Sequence, residues 1–157
     1  MDKVPMTERG YGMLQDEMRR LKSVERPAVI NALEEARTHG DLSENAEYHA
    51  AKERQAFIEG RLIELEDKVR RAQVIDPRSL SGDVVRFGAT VTLADEDTDE
   101  ESTYQIVGED EGDIGNGLLS LTSPLARAMI GRETGDSIEV TAPGGSKAYE
   151  IMKVRYA

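Results

Sequence analysis

Cysteine and tryptophan are absent from this chain, and only two of its 157 residues are phenylalanine. Without cysteine there are no disulfides and no thiolate metal sites. With so few large aromatics, any core has to be built from aliphatic side chains. No run approaches the roughly 20 apolar residues that a membrane-spanning helix needs. The N-terminal Met1-Asp2-Lys3-Val4-Pro5 lacks the apolar centre of a secretory signal. The expected compartment is the cytoplasm, and no membrane partner is expected.

Basic residues are scarce as well. The chain has 20 Lys and Arg against 31 Asp and Glu, a formal net charge of −11. Residues 1–80 carry 14 basic and 16 acidic side chains, whereas residues 81–157 carry 6 and 15. Such a field repels free nucleic acid, whose phosphates require clusters of Lys and Arg. Any contact with nucleic acid must be local or arranged by a partner. Acidic runs such as Asp95-Glu96-Asp97 and Asp99-Glu100-Glu101 are read as solvated surface.

What is present divides into two periods. Thr7 to about Arg37 has the pattern of a helix, with Thr7 as N-cap and Glu8 in the first turn. Its seam is Tyr11, Leu14, Met18 and Leu21, resuming at Ile30 and Leu33. Pro27 lacks a backbone donor and disfavours helical geometry at Arg26, so a kink or break is expected there. A second helix is predicted from about Ser43 to Val74, with Ala51, Ile58, Leu62, Leu65, Val69 and Ala72 on its seam. Two long helices joined by a short loop must run antiparallel. Residues 1–76 are therefore expected to form an antiparallel coiled-coil hairpin that exposes much of its surface.

From Pro77 the period shortens. Short strands are predicted at 84–87, 89–93, 103–107, 118–121, 137–140 and 149–154, separated by Gly and Asp clusters. One short helix, about Pro124 to Ile130, has Ser123 as cap, Pro124 at its first position and Gly131 after its end. Residues 77–157 are expected to form a small α+β domain with a curled antiparallel sheet.

The hairpin turn, His39-Gly40-Asp41-Leu42-Ser43-Glu44-Asn45, carries the chemistry. Asp41 and Glu44 offer hard carboxylate oxygens of the kind that take Mg2+, one or two at a time, alongside phosphate oxygens. Two carboxylates on an exposed turn hold a metal weakly. They matter if another macromolecule supplies further acids and the substrate phosphate, completing a two-metal site. The same spacing fits a capping box with Asp41 as N-cap, and Ser43 is an alternative cap. Spacing alone leaves both readings open. Arg37 stands one turn before the loop, within reach of Glu34 or Asp41. Lys52 stands two turns after it, and its i±3 and i±4 neighbours include no acid. His39 and His49 are read as surface residues.

Ala36-Arg37-Thr38-His39-Gly40-Asp41-Leu42-Ser43-Glu44-Asn45-Ala46-Glu47-Tyr48 resembles the signature of the bacterial GreA/GreB transcript cleavage factors. Glu25-Arg26-Pro27, Ala50-Ala51-Lys52-Glu53, Phe87-Gly88-Ala89-Thr90-Val91 and Ser123-Pro124-Leu125-Ala126-Arg127-Ala128 also fit, in order, over nearly the whole chain. The resemblance implies a C-terminal domain similar to FK506-binding proteins. Prolyl isomerase activity does not follow, because such pockets are aromatic-lined and residues 77–157 hold one Phe and three Tyr.

The resemblance also implies a function. Such a factor is not itself an enzyme. It docks on bacterial RNA polymerase, inserts its hairpin through the secondary channel, and stimulates cleavage of the backtracked RNA 3′ end. Carried onto this chain, Asp41 and Glu44 are the catalytic and metal-binding residues, sharing Mg2+ with the polymerase active site. Arg37 and Lys52 match residues that contact the nascent RNA. Ser123, Pro124, Leu125 and Ala126 match the polymerase-facing segment. A monomer is expected. The alternative is a secondary-channel ligand that blocks or modulates polymerase without cleavage, as in relatives with an altered tip. A coiled-coil chaperone would instead need apolar residues at the tip, and only Leu42 is apolar between Thr38 and Asn45.

Overall fold

The computed structural model describes residues 2–40 and 45–157. The chain divides into two compact units, Met1–Asp2 with Tyr11–Ala72, and Lys3–Gly10 with Gln73–Ala157. The architecture is α+β. Among the described residues, no helix is long and apolar enough to cross a membrane.

Strand β1 (Val4–Met6) leads into helix α1 (Glu8–Arg20). Thr7 caps α1 through its hydroxyl, which accepts the Gly10 N–H at 3.1 Å. A five-residue π-helical segment, Leu21–Glu25, joins α1 to α2 (Arg26–Arg37). Helix α3 (Ala46–Arg71) runs back antiparallel, and its 26 residues span about 40 Å at ~1.5 Å each.

The kink or break expected at Pro27 takes the form of a π-helical turn just before it. Arg26 keeps helical angles, φ −62° and ψ −49°, and its N–H donates to the Leu21 carbonyl, five residues back. The chain absorbs the missing proline donor by widening one turn rather than by breaking. The extra residue also shifts the seam. Val29 is buried, and Ile30, expected inside, is exposed. Leu14, Leu21, Val29, Leu33 and Ala36 are buried on the first arm, and Ala51, Ile58, Leu62 and Leu65 on the second. Full burial of Ile58 and Leu65 is worth ~1.5–3 kcal/mol each.

Ion pairs flank the seam. Arg61 donates two parallel hydrogen bonds to Glu17, at 2.7 and 2.9 Å. Arg26 makes the same fork to Glu59, at 2.9 and 2.7 Å. Hydrogen bonds from Arg61 hold the Glu17 carboxyl below its ordinary range, opposed by partial burial.

The second helix ends earlier than its apolar period suggests. Ala72 leaves helical geometry with ψ 133°, and Ala72–Val74 forms strand β2, paired with β1. The Ile75 N–H extends this pairing to the Met6 carbonyl at 2.9 Å. A 3-10 turn at Pro77–Ser79 follows, capped by Asp76.

Five strands form the main sheet of the second unit: β3 (Thr90–Asp95), β4 (Glu101–Val107), β5 (Leu118–Ser120), β6 (Ser137–Ala142) and β7 (Gly145–Arg155). Their spatial order is β5-β4-β3-β7-β6. The expectation of a wholly antiparallel sheet is corrected, because β4 and β5 pair in parallel. Segment 108–117 is long enough to carry the chain back to the starting end of β4. A register shift between Thr92 and Leu93 interrupts the β3–β7 ladder, the kind of irregularity that bends a sheet.

Alternation puts Val91 and Leu93 of β3 inside. They join Ile106, Leu119, Ile138 and Ile151 with Ala126 and Met129 of α4 (Pro124–Met129). Residues 84–87 are not a ladder strand. Val85 exchanges hydrogen bonds with Arg132 and Gly131 at 2.7 and 2.9 Å. Beside it, the Tyr156 hydroxyl donates to the Val84 carbonyl and accepts the Arg86 N–H. Val85 is apolar because it is core, and its backbone is used by a loop.

Candidate functional site

Helix α2 closes with 3-10-type bonds. The Thr38 N–H donates to the Glu35 carbonyl and the His39 N–H to the Ala36 carbonyl, both at 3.1 Å. Gly40 then takes φ +96°, a left-handed backbone that glycine adopts without a Cβ penalty. The predicted catalytic and metal-binding residues, Asp41 and Glu44, lie outside the described residues. Description resumes at Asn45.

Asn45 is the N-cap of α3. Its backbone is extended, with φ −83° and ψ 99°, and its side-chain oxygen accepts the Tyr48 N–H at 3.1 Å. The cap is therefore downstream of Asp41 and Ser43, the two candidates that spacing had offered. The other end of the same amide donates to the Ala36 carbonyl of α2 at 2.7 Å. One side chain thus serves an unfilled N–H at the start of α3 and an end carbonyl of α2. Spacing passed over Asn45, although Asn is among the best caps and its residue type was the signal that could have found it. The link to α2 is a tertiary contact and had no local signal.

The flanking cations are in place on their helices. Arg37 occupies the last turn of α2 and is exposed. Among the described residues it has no carboxylate at ion-pair distance. Lys52 lies in the second turn of α3, and its ammonium sits 6.0 Å from the Tyr48 ring centroid. Tyr48 meets His49 edge to face at 5.6 Å. His39 pairs with Glu47 across the neck at 3.7 Å, with both side chains largely exposed. Among the described residues, no group of three or more His, Asp or Glu side chains is arranged to hold a metal ion.

Away from the hairpin, Ser123 caps α4. Its hydroxyl accepts the Ala126 N–H at 3.3 Å and donates to the Ser120 carbonyl at 2.7 Å. Pro124 is exposed, Ser123 and Leu125 are half-buried, and Ala126 is wholly inside the core. The surface of this segment is therefore carried by Ser123, Pro124 and Leu125, with Ala126 fastening them from beneath.

Two family models together span nearly the whole chain and place it in a class of transcription elongation factors. The description "Transcription elongation factor, N-terminal" of the GreA/GreB family matches residues 4–74. "Transcription elongation factor, GreA/GreB, C-term" matches residues 80–156. The chain belongs to the GreA/GreB family of transcription elongation factors. It is 67% identical over 156 residues to the transcription elongation factor GreA of Phenylobacterium zucineum, covering 99% of each chain. Identity is 65% to GreA of Caulobacter vibrioides and 64% to GreA of Paracoccus denitrificans, each over 99% of both chains. Among solved structures, GreA factor homolog 1 (Gfh1) of Thermus thermophilus is 26% identical, with 98% and 99% of the two chains covered and a TM-score of 0.44.

Proposed function

We propose that this elongation factor rescues backtracked RNA polymerase by stimulating cleavage of the extruded RNA. The Ser123–Leu125 surface docks on the polymerase, and the hairpin enters the secondary channel. Asp41 and Glu44 then reach the polymerase active centre. Their carboxylates are hard oxygen donors and suit Mg2+ shared with the polymerase's own acids. When bound there, the ion supplies charge stabilisation and an acidified water for in-line attack on the phosphodiester.

This chain's residues bind, aim and orient. Asp41 and Glu44 hold oxygen ligands at the tip and orient water. Arg37 and Lys52 stand on either side of the turn, where a cation attracts the RNA phosphates. Cleavage leaves a new 3′ hydroxyl in register for elongation. The factor acts as a monomer in the cytoplasm, and without polymerase it has no activity of its own.

The observation that carries this reading is the Asn45 cap. The N-cap of helix α3 is Asn45, whose side-chain oxygen takes the Tyr48 N–H. An acidic pair at the end of a hairpin, with the cap supplied elsewhere, fits a metal-binding duty better than a structural one.

The test uses a stalled, backtracked elongation complex with 3′-end-labelled RNA and Mg2+. Adding the factor should release short labelled fragments well above the rate of polymerase alone. Tight binding to polymerase with slowed nucleotide addition and no fragment release would assign the chain to channel blocking instead.

A further inference from the structure

Lys52 is exposed in the second turn of α3, and among the described residues it has no carboxylate at ion-pair distance. Its ammonium does have a neighbour. It sits 6.0 Å from the centroid of the Tyr48 ring, within the reach of a cation–π attraction. Helical side chains lean toward the N-terminus, so residues at i and i+4 meet on one face and the later one reaches back over the earlier. The Tyr48 ring is itself half-buried and meets His49 edge to face at 5.6 Å. The contact with Lys52 uses the ring face and not the phenolic hydroxyl.

From this geometry we infer that Tyr48 is a positioning residue for Lys52: its ring face stations the ammonium over the first turn of α3, ready for the phosphates of the extruded RNA. The inference rests on the cleavage reading above. Lysine has a long, flexible stem, and an exposed ammonium without a partner samples many rotamers. The ring attracts the cation through its quadrupole and narrows that range. A carboxylate at residue 48 would hold Lys52 too, since Glu four residues before Lys is the favoured helical pair. It would also cancel the charge and repel phosphate. A neutral ring holds the lysine and leaves its charge available. The first turn of α3 directly follows the acidic turn in sequence, which is where the cleavage reading brings the RNA.

Substitution separates the ring from the rest of the residue. Tyr48→Phe keeps the ring face and loses only the hydroxyl. Tyr48→Leu keeps an apolar side chain of good helix propensity and loses the quadrupole. Neither disturbs the start of α3, because Asn45 accepts the backbone N–H of residue 48 at 3.1 Å, and that donor stays whatever the side chain. Lys52→Gln removes the charge and keeps the helix propensity.

Two measurements test this. In the free factor, the ring current of Tyr48 should displace the NMR signals of the Lys52 ε-methylene protons upfield. The displacement should persist in Tyr48→Phe, and Tyr48→Leu should return the signals to the position of a solvated lysine. In the backtracked complex at saturating factor, Tyr48→Phe should release fragments at the wild-type maximal rate. Tyr48→Leu should be about two- to fivefold slower, the factor that an exposed cation–π contact is worth. Lys52→Gln should already be slow, and adding Tyr48→Leu to it should cost nothing more. Equal losses from Tyr48→Leu with Lys or with Gln at residue 52 would show that the ring acts apart from Lys52, and would overturn the inference. Wild-type cleavage by Tyr48→Leu would overturn it as well. If Lys52→Gln cleaves like the wild type while the ring-current shift is present, the ring holds a lysine that the reaction does not use. The RNA-contact reading of Lys52 then falls together with this inference. If the wild type itself releases no fragments, the cleavage reading falls first and takes this inference with it.

Discussion

Asp41→Ala with Glu44→Ala is expected to lower transcript cleavage by at least about a hundredfold, the scale on which removing one transition-state electrostatic contact acts, while the protein keeps its melting temperature and its affinity for polymerase. The loss follows from removing both oxygen donors that this chain brings to the reaction. Retention of fold follows from Asn45. Because the α3 cap is Asn45, with its oxygen on the Tyr48 N–H at 3.1 Å, losing Asp41 does not cost the ~1 kcal/mol of a missing N-cap. Surface changes away from caps and cores stay within about 0.5 kcal/mol. The variant should therefore compete with wild-type factor for polymerase and slow rescue in a mixture. A lowered melting temperature with the same loss of cleavage would mean that the acids hold the turn together rather than serve the reaction.

Gly10→Ala is expected to destabilise the protein by about 3 kcal/mol, although Gly to Ala within a helix ordinarily stabilises by roughly 1. The reversal comes from Glu111. This carboxylate is 4% exposed and accepts the Thr7 N–H at 3.0 Å, the Gly108 N–H at 2.9 Å and the Thr7 hydroxyl. A Cβ on residue 10 would overlap the Glu111 carboxyl carbon and lie 2.5 Å from its Cγ and Oε2. Glu111 is flexible in principle, but moving it leaves buried donors unpaired. The internal control is Gly12→Ala on the same helix, where nothing lies within 4 Å of a new Cβ. That variant should gain about 0.5–1 kcal/mol. Denaturant melts of both decide the matter. Equal gains at the two positions would show that the Glu111 contact yields easily.

The same carboxylate shows where sequence reading stops. Glu111 stands in Gly108-Glu109-Asp110-Glu111-Gly112-Asp113, a stretch that looks like solvated loop. Thr7, more than a hundred positions away, supplies two of its three donors, and no local pattern marks that contact. Periodicity worked where the force is local burial. Leu14, Leu21, Leu33, Ala51, Ile58, Leu62 and Leu65 all lie inside. It failed where backbone geometry intervened. The π segment moved the seam from Ile30 to Val29, and edge pairing with β1 took Ala72–Val74 out of the helix.

In the second unit, strand positions followed alternation, but the parallel pairing of β5 with β4 depended on chain return, which alternation does not encode. The strand expected at 84–87 is a loop, and Val85 is buried in the core. For the site, the acidic turn and its flanking cations rest on residue type and resemblance, and Asp41 and Glu44 lie outside the described residues. Spacing pointed to Asp41 or Ser43 as the cap rather than Asn45, and no local pattern announces the Asn45 bond to Ala36, a contact between two helix ends.

If Asp41 and Glu44 serve the reaction by holding Mg2+ in the polymerase active centre, the metal dependence of cleavage must change when one of them is weakened. The most direct measurement titrates Mg2+ at saturating factor and follows fragment release for wild type and Asp41→Asn, a variant of the same shape with a weaker metal donor. Half-maximal release is expected at higher Mg2+ in Asp41→Asn, and raising Mg2+ should recover part of the lost rate. An unchanged Mg2+ midpoint with a uniformly lowered plateau would contradict it.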